Sequence, residues 1–153
     1  MIIGDSSALI ALAVINKLEL LEKLYENLFV PQAVYDEVVQ IGRPQSDKLK
    51  RFLKNRVKVV DLNITKLGLG LGELEAITLY KKLDADVLLI DDNRAKKYAI
   101  LNDLKVIGSL GILIKAKESG FITKVKPFLD EIMKSEIYIS DKLILQVLEI
   151  CDE

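Results

Sequence analysis

Short apolar runs alternate with amphipathic segments along most of the chain. Ile2-Ile3-Gly4-Asp5 reads as a short buried strand. Ser6 and Ser7 then offer N-caps for an apolar helix over about residues 8–15. Asn16-Lys17 interrupts it, and residues 18–25 read as a second short helix. Leu28-Phe29-Val30 is a second strand, stopped by Pro31, which suits the first turn of the following helix. That helix is expected to run to about Ile41 and end at Gly42.

After an Arg43-Pro44-Gln45 loop, residues 46–55 form a basic amphipathic pattern carrying Lys48, Lys50, Arg51 and Lys54. Residues 57–60 are a third strand, placed near an edge by Lys58. Residues 63–72 bear glycines without clean periodicity and read as a loop, followed by a helix over 73–83. Val87-Leu88-Leu89-Ile90 is uninterruptedly apolar, as expected of a central parallel strand buried on both faces. A helix over 94–102, a fifth strand at 105–107 and helices over 108–118, 125–134 and 140–150 complete the pattern. Strands alternating with helices predict an α/β fold with a mostly parallel sheet of about four to five strands. A length of 153 residues without repeat or linker predicts a single domain over 1–153, with a helical C-terminal extension over about 120–153.

The composition narrows the chemistry. There is no histidine, which removes Ser-His-Asp triads, Cys-His dyads and histidine-ligated zinc. Cys151 is the one cysteine, so neither an intrachain disulfide nor a cysteine zinc site can form. The N-terminus lacks a basic n-region, and no run of about 18 uncharged apolar residues occurs, so a cytoplasmic location is expected. Abundant Lys and Ile without His or Trp resemble a thermophile's bias. The net charge of −1 does not advertise nucleic acid as a partner.

The carboxylates fall at strand ends. Asp5 ends the first strand, and Asp91 and Asp92 end the central one. Ligands of open parallel sheets bind at those carboxyl ends. Helix capping is the alternative for each aspartate, but two adjacent charges after an apolar strand are costly unless something offsets them. Glu37 borders the stripe of Ala33, Val34, Val38 and Ile41 on its helix, while Asp36 points elsewhere. Glu73 and Glu75 follow Gly68-Leu69-Gly70-Leu71-Gly72 and differ by roughly 200° of helical phase. That phase favours Glu73 as the inward group, groups Glu75 with Thr78 and Lys82 on the polar side, and leaves Glu75 as an alternate. Carboxylates on separate elements suit Mg²⁺ or Mn²⁺ rather than zinc. Metals so placed can activate a water and stabilise the leaving oxygen of a phosphodiester. The glycine run lacks the spacing and the Lys-Ser/Thr ending of a phosphate loop.

Four pieces, in order, resemble the PIN domain family. Asp5-Ser6-Ser7 with the apolar run Ala8 to Ala13 looks like its opening, and Val34 to Val38 is similar to its second motif. Gly72-Glu73-Leu74-Glu75-Ala76-Ile77 looks like the third, and Leu88-Leu89-Ile90-Asp91-Asp92 with Arg94 and Ala95 like the fourth. Gly108-Ser109-Leu110-Gly111-Ile112-Leu113 is similar to a stretch typical of a prokaryotic PIN subfamily long catalogued as of unknown function. The resemblance implies a three-layer α/β/α fold and a metal-dependent endoribonuclease site for single-stranded RNA. It implies Asp5, Glu37, Glu73 and Asp91 as the acidic quartet, with Ser6 beside the first acid. Asp5, Asp91, Asp92 and Glu73 are the candidate metal ligands, and Arg94 is the candidate substrate contact. Many relatives are VapC-like toxins paired with an antitoxin, and relatives are commonly dimers. Leu143, Ile144, Val147, Leu148 and Ile150 give the last helix an apolar face, for its own core or for a second copy. A non-catalytic module binding RNA or protein is the competing function.

Overall fold

A computed structural model of the chain describes residues 1–43, 45–62 and 68–153. Its elements follow in the order β1 (Ile2–Gly4), α1 (Ser6–Val14), α2 (Glu19–Leu24), β2 (Leu28–Pro31), α3 (Gln32–Val38), α4 (Ser46–Phe52) and β3 (Val57–Lys58). Then come α5 (Leu71–Leu83), β4 (Val87–Leu89), α6 (Asn93–Leu101), β5 (Val106–Ile107), α7 (Ser109–Glu118), α8 (Lys126–Lys134) and α9 (Asp141–Ile150). The strands form one all-parallel sheet in the order β3-β2-β1-β4-β5. The expected edge position of β3 is observed.

Alternation along the strands sorts the helices into two layers, because successive side chains point to opposite faces. Ile2 and Leu89 face one core with residues of α1, α2, α3, α4, α7, α8 and α9. Ile3, Leu88 and Ile90 face the other core with α5 and α6. The result is a three-layer α/β/α sandwich. Ile2, Ile3, Leu88 and Leu89 are all fully buried, which accounts for strands without polar alternation.

Strand order reverses at β1. The chain moves outward through β2 and β3, then returns to place β4 on the other side of β1. Ligands of doubly wound sheets bind at this switch point, beyond the carboxyl ends of the strands. Gly4 pairs with Leu89 there, and the Asp5 N–H donates to the Leu89 carbonyl at 2.9 Å. The ends of β1 and β4 are therefore locked side by side.

Two expectations need correction. The helix after β2 ends at Val38, not near Ile41, and Ile41 is fully exposed rather than part of the inward stripe. The chain leaves helical geometry at Val39 and turns at Gly42, whose φ of +85° suits glycine. Helical phase therefore no longer carries Ile41 inward. Pro31 is also the last residue of β2 and the N-cap of α3, rather than a first-turn residue. Of the loop expected over 63–72, residues 63–67 lie outside the described residues, as does Pro44 of the earlier loop.

The C-terminal helices pack on the same core as α1. Val125, Leu129, Ile132, Ile144 and Val147 join it. Cys151 is buried beside them, and burial pushes its thiol pKa up. Leu143, Leu145 and Ile150 remain exposed, so α9 is only partly satisfied by its own core. Among the described residues, no helix is long and apolar enough to cross a membrane.

Candidate active site

Asp5 occupies the N-cap position of α1, yet its side chain makes no capping hydrogen bond. The capping alternative therefore does not account for it. Asp5 is 3% exposed. Its pKa is pushed up to about 7, first by burial and then by the charges of Glu73, Glu37 and Asp92, with the Ser6 amide opposing in part. The acid at the head of the chain is thus pressed by acids from three later elements.

Each of those acids is fixed by a neighbour. Glu37, on α3, accepts from the Ser6 hydroxyl at 2.9 Å. Gly72 lets α5 come close to it: a Cβ there would lie 3.2 Å from Val34 Cγ2 and 3.4 Å from Glu37 Oε2. Glu73 accepts the Gly70 N–H at 2.7 Å, the half of a capping box that a glycine N-cap leaves possible. Asp92 is the N-cap of α6 and accepts the Ala95 N–H at 2.8 Å.

These residues line one cleft of about 500 Å³. Asp5, Asp36, Glu37, Glu73, Glu75 and Asp92 all face it, with no Lys or Arg among the described lining. Glu73 and Glu75 both reach it, by the different routes that their helical phase requires. Glu73 folds back on its own helix start, whereas Glu75 accepts the Ala33 N–H of α3 at 2.8 Å. Glu75 is consequently half-buried, not on a solvated face with Lys82. Asp36 reaches the cleft from its exposed position, held by Gln32 at 2.8 Å.

Asp91 is not brought into this cleft. Its two oxygens accept the N–H and the hydroxyl of Ser109, each at 2.7 Å. It lines a separate cavity between α7 and α9, which meets the acidic cleft at Ser7 and Asp92. Asp92, rather than Asp91, shares the cleft lining with Asp5.

The basic residues near these elements scatter. Arg94 donates to the Gly68 carbonyl at 2.9 Å and so ties down the glycine loop at the cleft edge. Lys48 donates to the Ala13 carbonyl at 2.9 Å. Lys96 lines the second cavity, and Lys97 is exposed on α6. The sequence pattern singles out neither the cleft-lining Gln32 and Gln40 nor a role for Ser109. For Ser109 the available signal is its place at the first position of a helix one residue after a strand, where a hydroxyl meets the acid that follows the neighbouring strand.

Among the described residues, no three acids converge tightly enough to cage a metal ion. The donor chemistry nevertheless fits a hard divalent cation, which takes one or two carboxylates and keeps several waters.

No curated protein matches the chain. The model of the PIN domain family DUF3368 matches residues 1–153. PIN domains are in general nucleases that use divalent metal ions. With its five-stranded parallel sheet between helical layers, this chain belongs to the PIN domain family.

Proposed function

We propose that the cleft is the active site of a ribonuclease that hydrolyses single-stranded RNA with Mg²⁺ or Mn²⁺. The observation that carries this reading is Asp5. It is a buried carboxylate held near pKa 7 and faced by Glu73, Glu37 and Asp92. No basic side chain in the described lining offsets them. Uncompensated charge of this kind is costly to hold together, and a divalent cation relieves it.

Asp5 and Asp92 would hold the cation, with Glu37 and Glu73 orienting its water shell. When bound, it would supply Lewis-acid stabilisation of charge on the phosphate and acidify a water. The chain's residues do the positioning. Ser6 fixes Glu37, the Gly70 amide fixes Glu73, and the Ala95 amide fixes Asp92. Arg94 and Lys97, exposed on α6 behind Asp92, would meet the RNA backbone.

Titration calorimetry with Mn²⁺ tests this reading together with cleavage of a single-stranded RNA. Saturable binding and cleavage stopped by EDTA are expected. The competing reading, a non-catalytic PIN module that binds RNA or a protein, draws on the lack of three convergent acids among the described residues. Failure to bind at millimolar Mn²⁺ would favour it. The finer VapC-like toxin reading predicts that expression arrests growth and that co-expression of an antitoxin relieves the arrest. A homodimer would use the exposed side of α9, and light scattering tests it.

A further inference from the structure

Asp91 and the Gly108-Ser109-Leu110-Gly111 stretch play no part in the cleft as described, yet they fit each other closely. α7 begins at Ser109, and its N-cap is Gly108, which has no side chain with which to cap. The cap comes from across the sheet. Asp91 Oδ1 accepts the Ser109 N–H, and Oδ2 accepts the Ser109 hydroxyl, both at 2.7 Å. A carboxylate there meets the positive end of the helix and makes short charge-assisted bonds. Ser109 is buried, at 3% exposure.

The glycines serve this contact. A Cβ on Gly108 would lie 2.7 Å from Asp91 Oδ1 and 3.2 Å from Lys96 Nζ, so a side chain there would displace the carboxylate. A Cβ on Gly111 would lie 2.7 Å from Ile107 Cγ1, so glycine lets α7 sit against β5. The Gly-Ser-Leu-Gly sequence thus forms a receptor for one aspartate. Asp91 has both oxygens turned to α7, and the next residue caps α6 and faces Asp5.

We infer that Asp91 is a positioning residue: clamped by Ser109 at the start of α7, it holds the turn between β4 and α6 so that Asp92 faces Asp5. The metal-binding part of this inference rests on the proposed nuclease reading, whereas the clamp itself does not. Because the clamp works through directed hydrogen bonds, asparagine can keep its geometry while giving up the charge assistance. Its Oδ1 can accept from the Ser109 N–H, and its Nδ2 can donate to the Ser109 hydroxyl. A carboxylate that ligates metal loses its charge in asparagine, and cation binding weakens.

The test compares Asp91→Asn, Asp91→Ala and Asp92→Asn by Mn²⁺ calorimetry, well below the melting temperature. Asp91→Ala is expected to weaken Mn²⁺ binding by about tenfold, the scale of lost outer-shell support, while Asp91→Asn stays within about threefold of wild type. Asp92→Asn is expected to lose more than either. Equal losses in Asp91→Asn and Asp92→Asn would overturn the inference and make Asp91 a ligand. Urea unfolding of Asp91→Ala, Ser109→Ala and the double variant in EDTA tests the clamp without metal. Non-additive losses are expected, and additive losses would overturn it. Non-additive losses in a protein whose wild type binds no Mn²⁺ would support the clamp and contradict the nuclease reading instead.

Discussion

The Ser6 hydroxyl donates to Glu37 Oε2 at 2.9 Å, joining the first turn of α1 to α3 across thirty-one positions of sequence. Ser6 is 5% exposed, so the bond is sheltered from water. Ser6→Ala removes the donor and leaves Glu37 free to turn toward solvent. The expected loss is about 1.5–3 kcal/mol of stability, the usual worth of a hydrogen bond to a charged group. RNA cleavage is expected to fall as well. Urea unfolding and single-turnover kinetics measure the two effects separately.

Asp5 makes stability depend on pH in the metal-free protein. Its folded pKa of about 7 lies above the ordinary 3.8, so between these values the folded state binds more protons than the unfolded state. The stability that protonated Asp5 allows is fully present below about pH 4 and is lost as pH rises through about 7. The shift corresponds to on the order of 4 kcal/mol. Asp5→Asn should therefore be more stable than wild type at pH 8 in EDTA, and the pH slope should flatten. Thermal melts at pH 5 and pH 8 read this directly. Added Mn²⁺ should narrow the gap by stabilising wild type alone.

Gly72→Ala tests the close approach of α5 to α3. The new methyl would press on Val34 and on Glu37 Oε2. Val34 must then give by a few tenths of an ångström beside Glu37, and small misplacements of a neighbouring acid slow catalysis steeply. Cleavage is expected to drop about tenfold. The melting temperature should stay within a few degrees, because alanine favours the helix more than glycine does.

Glu153 ties the chain's last residue to its helical layer. Burial pushes its carboxyl pKa up, but Lys117 and the amides of Val125 and Lys126 outweigh that and hold it at about 2. Because the folded pKa is depressed, the contribution is present above about pH 4.5 and is lost as pH falls through about 2. Glu153→Gln should lower the melting temperature by about 4 °C at pH 7, with the difference fading toward pH 2. Activity at moderate temperature should be unaffected, since this contact lies outside the cleft.

Much of the fold was legible because parallel strands buried on both faces leave uninterrupted apolar runs such as Val87 to Ile90. Turn residues marked most element ends. Ile41 misled because apolar character at the right phase says nothing once the helix has stopped. In the acidic region, sequence could nominate Asp91 and Asp92 but could not choose between them. Adjacent residues after a strand point to different sides, and the choice depended on Ser109, eighteen residues away. Glu73 and Glu75 raised the same difficulty. Helical phase set Glu75 on the polar side with Lys82, but the amide that draws Glu75 into the cleft belongs to Ala33 on another helix. Local pattern could identify the acids, whereas their orientations were set by long-range partners.

The most direct test of the central claim is cleavage of a single-stranded RNA by wild type and by Asp5→Asn with Mn²⁺. The account predicts cleavage by wild type that stops with EDTA, and a loss of at least about a hundredfold in Asp5→Asn although that variant is folded and more stable at pH 8. Undiminished cleavage by Asp5→Asn would contradict it.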